Sequence, residues 1–183
     1  AVFALDITDP DLFDETKVMW EFTDATDLGN IMSRAFVARM NDGNWYAVFG
    51  NGYNSTSKKA VLFMVPLDKS LGLPVVKISA PWATGHDNGL SEPALLDEDG
   101  DRIIDTIYAG DLKGNVWKFD VSDNSTGNWE IAYPASGNDA PLFKALIGTT
   151  EQPITGPLEI GAPPSGHCAR AEAASDGSAC SIR

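Results

Sequence analysis

Glycine and proline recur so densely along this chain that little room is left for long helices. The 183 residues include 17 glycines and 11 prolines, and both residue types interrupt helical periodicity. Between them lie short segments with alternating apolar residues, which are typical of β-strands. The sequence therefore predicts an all-β protein. The predicted strands are Val2–Ile7, Lys17–Phe22, Ala35–Met40, Trp45–Gly50, Ala60–Leu67, Val75–Ile78, Ala94–Leu96, Thr106–Ala109, Asn115–Val121, Trp129–Ala132 and Gly156–Ile160.

A faint internal repeat organises these strands. The segment YAVFGNGYNSTSKKAVLFMVPLD, from Tyr46, matches YAGDLKGNVWKFDVSD, from Tyr108: a Tyr-Ala strand, a Gly-rich turn and an alternating strand ending near Asp. Strands that begin near residues 35, 94 and 158 give a period of about sixty residues, with about four strands per unit. The pattern predicts part of a β-propeller, with about two complete four-stranded antiparallel blades and strands of flanking blades. An ordinary β-sandwich is the alternative.

The predicted domain organisation is a partial propeller over residues 1–162 and an irregular Ala- and Ser-rich tail over residues 163–183. Two blades cannot close a ring of four or more, and the chain starts abruptly with AVFALDITDP. We therefore expect a fragment or a processed piece of a longer protein. No run of eighteen apolar residues is present, so no membrane span is predicted.

The net charge of −13 comes from 26 acidic and 13 basic residues. The basic residues are scattered, which makes nucleic acid and anionic membranes poor partners. A cation is favoured instead, because the carboxylates are partly clustered. The densest cluster reads DEDGDRIID, from Asp97 to Asp105.

This cluster predicts a calcium-binding loop. Calcium takes six to eight oxygen ligands, and alternate residues of a tight loop can all point inward. The predicted ligands are the carboxylates of Asp97, Asp99, Asp101 and Asp105 and the main-chain carbonyl of Ile103. An empty acidic turn is the alternative.

Other metal sites fit this loop less well. An EF-hand needs Gly at position 6 and Glu at position 12, where this loop has Arg102 and Tyr108. Magnesium demands strict octahedral geometry, and zinc finds neither nitrogen nor sulfur ligands in the loop. His86 and His167 are far away in sequence.

Four segments in order carry a family resemblance: NGYNS at Asn51, GLSEPALLDEDGD at Gly89, YAGDLKGNVWKFDVS at Tyr108 and QPITGPLEIG at Gln152. Together they resemble the C-terminal propeller of the PilC/PilY family, the type IV pilus tip-associated adhesins and biogenesis factors. The resemblance covers residues 1 to about 162. Its most specific part is the acidic loop followed by YAGDLKGNVWKFD.

The resemblance implies an exported, non-enzymatic protein of the bacterial cell surface, located at the pilus tip or outer membrane after passing the periplasm. It also implies roles in pilus extension against retraction, twitching motility and surface adhesion. The expected partners are pilin subunits or other pilus-tip proteins, and a host or abiotic surface. The family's calcium ligands correspond to Asp97, Asp99, Asp101, Ile103 and Asp105.

Two alternatives to the adhesion reading stay open. Propellers also hold quinone-cofactor dehydrogenases, and five tryptophans suggest this enzyme class, although the contiguous loop needs no cofactor to complete its ligands. Ser91, His86 and Asp87 are too generic for a hydrolase triad. The second alternative is a purely structural, calcium-stabilised propeller. If the chain has a binding surface, exposed aromatics such as Trp82 or Tyr133 would mark it.

The tail departs from the family pattern, since a Gly-Thr-Gly strand is expected after QPITGPLEIG. We interpret the tail as a disordered linker, as a disulfide-closed loop or as the product of an altered reading of the gene. Its cysteines, Cys168 and Cys180, match no CxxC pattern. They are expected to pair in an exported protein and to stay reduced in the cytosol.

Overall fold

The computed structural model describes residues 1–81, 87–135 and 138–161, and within these ranges the chain is built from short strands and 3-10 turns. The strands are β1 (Val2–Leu5), β2 (Val18–Phe22), β3 (Phe36–Arg39), β4 (Trp45–Gly50), β5 (Val61–Pro66), β6 (Val76–Ser79), β7 (Ala94–Leu96), β8 (Thr106–Gly110), β9 (Asn115–Asp120), β10 (Glu130–Ile131), β11 (Pro134–Ala135), β12 (Asn138–Asp139), β13 (Phe143–Lys144), β14 (Leu146–Ile147) and β15 (Thr150–Glu151). The 3-10 helices are Pro10–Leu12, Glu15–Lys17, Lys69–Leu71 and Thr126–Asn128.

Two antiparallel sheets follow one another along the chain. The first sheet has the order β3-β4-β5-β6. The second sheet has the order β7-β8-β9-β10, and the short strand β13 also pairs with β9, beyond the end of β10. Before them, β1 and β2 form an antiparallel pair. The prediction of about two complete four-stranded blades is confirmed, and of the predicted strands of flanking blades those before the first sheet are present.

The central strands of the first sheet, β4 and β5, are buried on both faces. Side chains of a strand point alternately to opposite faces, and every residue of β5 is buried. Leu62 and Met64 join the core between the two sheets, while Phe63 and Val65 join a second core against the β1–β2 pair. Each sheet therefore packs face to face on its neighbour, as the blades of a propeller do.

Aromatic rings fill both cores. Phe49 stacks on Phe63 with ring centroids 5.5 Å apart, and Phe22 of the β1–β2 pair meets Phe63 edge-on at the same distance. In the other core, Tyr46 meets Trp129 edge-on at 5.8 Å. Truncating such a core ring to Ala typically costs about 3–5 kcal/mol, so these contacts hold the three layers together.

A buried polar residue follows the central strand of each sheet. Asn51, after β4, accepts from the N–H of Val61 through Oδ1 at 3.1 Å. Asp111, after β8, accepts from the N–H of Asn115 through Oδ1 at 2.9 Å. Both side chains are fully buried, and each ties the end of one strand to the start of the next. Asn51 and Asp111 therefore occupy equivalent positions in the two sheets, each directly after the strand that ends at Gly50 or Gly110.

Most predicted strands are confirmed to within one or two residues, but the last one is wrong. The bounds of Trp45–Gly50 and Ala94–Leu96 agree with the prediction. Residues Gly156–Ile160 form no strand, because Pro157 has no N–H to donate and no described segment pairs with this stretch. Among the described residues there is no helix with the length and hydrophobicity that a membrane span requires.

At Gly50, the last residue of β4, the first sheet comes close to the segment that leads into the second sheet. A Cβ atom at this position would lie 2.2 Å from the carbonyl oxygen of Ser91 and 2.6 Å from that of Leu90. Backbone atoms cannot swing away as a flexible side chain can, so only glycine fits here without moving the segment that leads into the second sheet.

We predict that Gly50→Ala lowers the free energy of unfolding by about 1–3 kcal/mol, because it overpacks a backbone contact. Gly127→Ala is the matched control, since its new Cβ meets only Ser125 Oγ, at 3.8 Å. Urea denaturation of both variants measures the difference. Equal stabilities would show that the two sheets are not held at this distance.

An ion pair also links the segments that lead into the two sheets. The guanidinium of Arg34 donates to Glu92 Oε1 from Nε at 3.0 Å and from Nη2 at 2.8 Å, and its backbone N–H donates to Oε2 at 3.0 Å. The backbone N–H of Arg34, with its guanidinium, holds the pKa of Glu92 below its ordinary value against the opposing effect of burial.

The pKa of Glu92 is lower in the folded state than its unfolded value near 4.5. The stability that the ionised Glu92 carboxylate contributes is therefore fully present at pH values above that unfolded pKa. That contribution disappears as the pH falls through the folded pKa. We predict that Glu92→Gln destabilises the protein at pH 7 and that its difference from wild type shrinks as the pH falls from 5 to 3. Chemical denaturation across this range measures it, and a difference that does not change with pH would contradict the assignment.

Candidate metal centre

The acidic loop, Asp97–Asp105, connects β7 to β8 in the second sheet. The pair Leu96↔Thr106 closes the hairpin at its base. Two residues of the loop adopt left-handed conformations, Gly100 with φ of 87° and Arg102 with φ of 71°. Left-handed residues turn the chain sharply, so this loop winds back on itself between the two strands.

Three of the predicted carboxylates lie together in this loop. One oxygen from each of Asp97, Asp99 and Asp105 lies within 4.8 Å of the others. The carboxylate of Asp101 is outside this group, and its Oδ1 accepts from the N–H of Ile103 at 2.8 Å. The structure thus brings three of the four predicted carboxylates together. The role of Asp97, Asp99, Asp101, Asp105 and the Ile103 carbonyl as ligands stays a prediction.

Backbone N–H groups organise the loop from within. Asp97 accepts from Gly100 through Oδ1 and from Arg102 through Oδ2, both at 2.7 Å. Burial alone would raise the pKa of Asp97, but the N–H groups of Arg102 and Gly100 outweigh it and hold the pKa below its ordinary value. At its other end, Asp105 Oδ2 accepts from the N–H of Glu98 at 2.9 Å.

The donor set of the loop suits a hard divalent cation. Carboxylate and carbonyl oxygens are the ligands of calcium, whereas zinc favours imidazole and thiolate. Among the residues that the structure describes, Asp97, Asp99 and Asp105 form the one cluster of three or more candidate ligands. All three are carboxylates, and hydrogen bonds from backbone N–H groups of the loop hold the loop in the conformation that brings them together. The residues therefore fit calcium.

The loop also rests on the first sheet, which the sequence did not reveal. The N–H of Ile104 donates to the carbonyl of Arg39 at 3.0 Å, beside a parallel bridge between Met40 and Ile104. The side chain of Asn41 donates to the carbonyl of Ile104 at 3.0 Å, to that of Val121 at 3.1 Å and to Asp105 Oδ1 at 3.3 Å. The internal repeat could have predicted this contact between the sheets, because equivalent hairpins of neighbouring blades lie side by side.

The tryptophans that suggested a cofactor site mostly fill the core. Trp20, Trp117 and Trp129 are buried, and their indole N–H groups donate to the Leu67 carbonyl, the Asp111 carboxylate and the Asp123 carbonyl respectively. Trp45 is exposed. The remaining predictions, on Trp82, His86, His167, Cys168, Cys180 and the tail 163–183, fall outside the described residues.

Comparison with known proteins agrees with this architecture. The family model of the PilY1 beta-propeller domain matches residues 1–156. The chain is 32% identical to the protein in the crystal structure of the Pseudomonas aeruginosa PilY1 C-terminal domain, with a TM-score of 0.73, and the match covers 85% of this chain and 34% of that one. The stacked antiparallel sheets are therefore part of a β-propeller.

Two relatives extend the comparison. The chain is 42% identical over 179 residues to a type IV pilus biogenesis factor PilY1 homolog of Xylella fastidiosa, and 39% identical over 183 residues to the type IV pilus biogenesis factor PilY1 of Pseudomonas aeruginosa. Each match covers 90% of this chain, but only 12% and 15% of the respective relatives. The chain belongs to the PilY1 β-propeller family and spans a small part of the length of these relatives.

Proposed function

We propose that this chain is the calcium-binding propeller segment of a type IV pilus biogenesis factor. The observation that carries the proposal is the convergence of Asp97, Asp99 and Asp105 in a single hairpin loop. The family membership and the names of the relatives support the assignment to the pilus. The relatives are pilus biogenesis factors by name, which supports a non-enzymatic role.

In this proposal the loop holds calcium through the three clustered carboxylates, Asp101 and the main-chain carbonyl of Ile103. Calcium supplies a divalent charge that offsets the repulsion among these carboxylates. The N–H groups of Gly100 and Arg102 already fix Asp97, so the Asp97 carboxylate needs little reorganisation on binding. Because the ion binds the folded chain, it stabilises that state by mass action.

At the level of the whole protein, we propose export to the cell surface, by way of the periplasm, to the pilus tip or outer membrane. There the protein takes part in pilus extension and retraction, twitching motility and adhesion to a host or abiotic surface. Its proposed partners are pilin subunits or other pilus-tip proteins. The net charge of −13 is consistent with a partner other than nucleic acid.

We predict that Asp97→Ala and Asp105→Ala each abolish measurable calcium binding and remove the rise in melting temperature that calcium gives the wild type. Asp68→Ala is the matched control, because Asp68 lies outside the loop and its carboxylate likewise accepts a backbone N–H, that of Ser70, at 2.8 Å. Calorimetric titration and thermal melting with and without chelator measure both effects. A wild type whose melting is unchanged by chelator would refute the calcium site.

In the parent bacterium, we predict that Asp97→Ala introduced into the full-length protein impairs twitching motility while leaving its export unchanged. Asp68→Ala again serves as the control. Twitching-zone diameter and immunoblots of sheared surface fractions measure the two quantities. Loss of calcium binding with normal twitching would instead favour a purely structural role for the ion.

A further inference from the structure

The hairpin of the first sheet, residues 39–44, contacts the acidic loop at the point where the predicted ligands end. Asn41 Nδ2 faces three acceptors: the carbonyl oxygens of Ile104 and Val121 and the carboxylate of Asp105. An amide oxygen in this place would face three like atoms, so the nitrogen orientation is the favourable one. Asn41 therefore joins the first sheet to both ends of the β8–β9 hairpin.

Asp105 is held from several directions at once. Its N–H donates to the Leu96 carbonyl at 3.0 Å, and its own carbonyl accepts from the N–H of Val121 at 2.9 Å. The side chain of Asn41 donates to the Asp105 carboxylate, to the carbonyl of Ile104, which precedes Asp105, and to the carbonyl of Val121. These contacts fix the backbone from which the Asp105 carboxylate reaches the cluster.

The first sheet also sets the direction of a predicted main-chain ligand. The carbonyl of Ile103 and the N–H of Ile104 belong to one peptide group, which is planar and trans, so the two bonds point in opposite directions. The N–H of Ile104 points to the Arg39 carbonyl, at 3.0 Å. The carbonyl of Ile103 consequently points away from the first sheet, and the docking of the two sheets fixes its orientation.

We propose that Asn41 is a positioning residue for the acidic loop, so that the affinity of the loop for calcium depends on the docking of the first sheet against the second. This inference rests on the proposed calcium site and adds a coupling between that site and the interface of two blades. Coupling of this kind is reciprocal. Calcium in the loop would accordingly tighten the contact between the sheets.

The substitution Asn41→Asp separates positioning from simple electrostatics. The new carboxylate would bring a further negative charge beside the cluster, which on Coulombic grounds alone strengthens the binding of a cation. The same substitution would remove the N–H donors that face the three oxygens. Positioning therefore predicts weaker binding from Asn41→Asp, whereas proximity of charge predicts tighter binding.

The test is calorimetric calcium titration of the full chain carrying Asn41→Asp or Asn41→Ala. We expect affinity to fall by about 10-fold to 100-fold in both variants, the range typical for outer partners of metal ligands. Asn44→Ala is the control, because within the described part of the chain the Asn44 side chain bonds only to Asp42 of its own hairpin. Tighter binding by Asn41→Asp, or unchanged binding by Asn41→Ala, overturns the proposal.

A measurement on the wild type keeps the inference testable if these variants fold poorly. Hydrogen exchange of the Ile104 amide reports the contact with Arg39, and we expect calcium to slow it severalfold. An exchange rate that calcium leaves unchanged contradicts the coupling even where binding is normal. A wild type that binds no calcium refutes the proposed function itself, so the two failures are distinguishable.

Discussion

The burial of β4 and β5, the central strands of the first sheet, on both faces is the constraint on which the rest of the structure depends. In β4 and β5, odd and even positions are both apolar, so neither face can be left in water. One face is covered by the β1–β2 pair and the other by the second sheet. A sheet of this kind requires a neighbour on each side, which is why the chain builds stacked layers.

Polar residues at the strand ends then decide how the layers meet. Asn51 accepts from the N–H of Leu90 at 2.9 Å, which ties the first sheet to the segment that enters the second. Arg34 and Glu92 make a similar link by charge. Apolar faces alone would allow the sheets to slide, whereas directional bonds between particular atoms select one alignment. The acidic loop and Asn41 depend on that alignment, since they come from different sheets.

The sequence predicted the strands wherever an alternating or continuous apolar pattern ran over several residues, and it failed where tertiary contacts decide. Trp45–Gly50 was predicted without error because its apolar pattern and terminal glycine are local signals. The strands β11 to β15 were missed because each has two residues, too few to show a period. Gly156–Ile160 alternates like a strand but has no pairing partner among the described residues. In the site, the spacing of aspartates predicted the cluster, yet Asn41 lies 64 residues from Asp105, beyond any motif.

The docking of the acidic loop on the first sheet has a consequence for the order of folding. Bonds inside the loop, such as Arg102 to Asp97, join residues five positions apart, and contacts of such short range form quickly. The contact of Asn41 with Val121 spans 80 positions and has to wait until both sheets exist. The wound loop can therefore form early, and its attachment to the first sheet belongs to the late steps. An interaction that forms late mainly slows unfolding rather than speeding folding, so this attachment contributes to the lifetime of the native state.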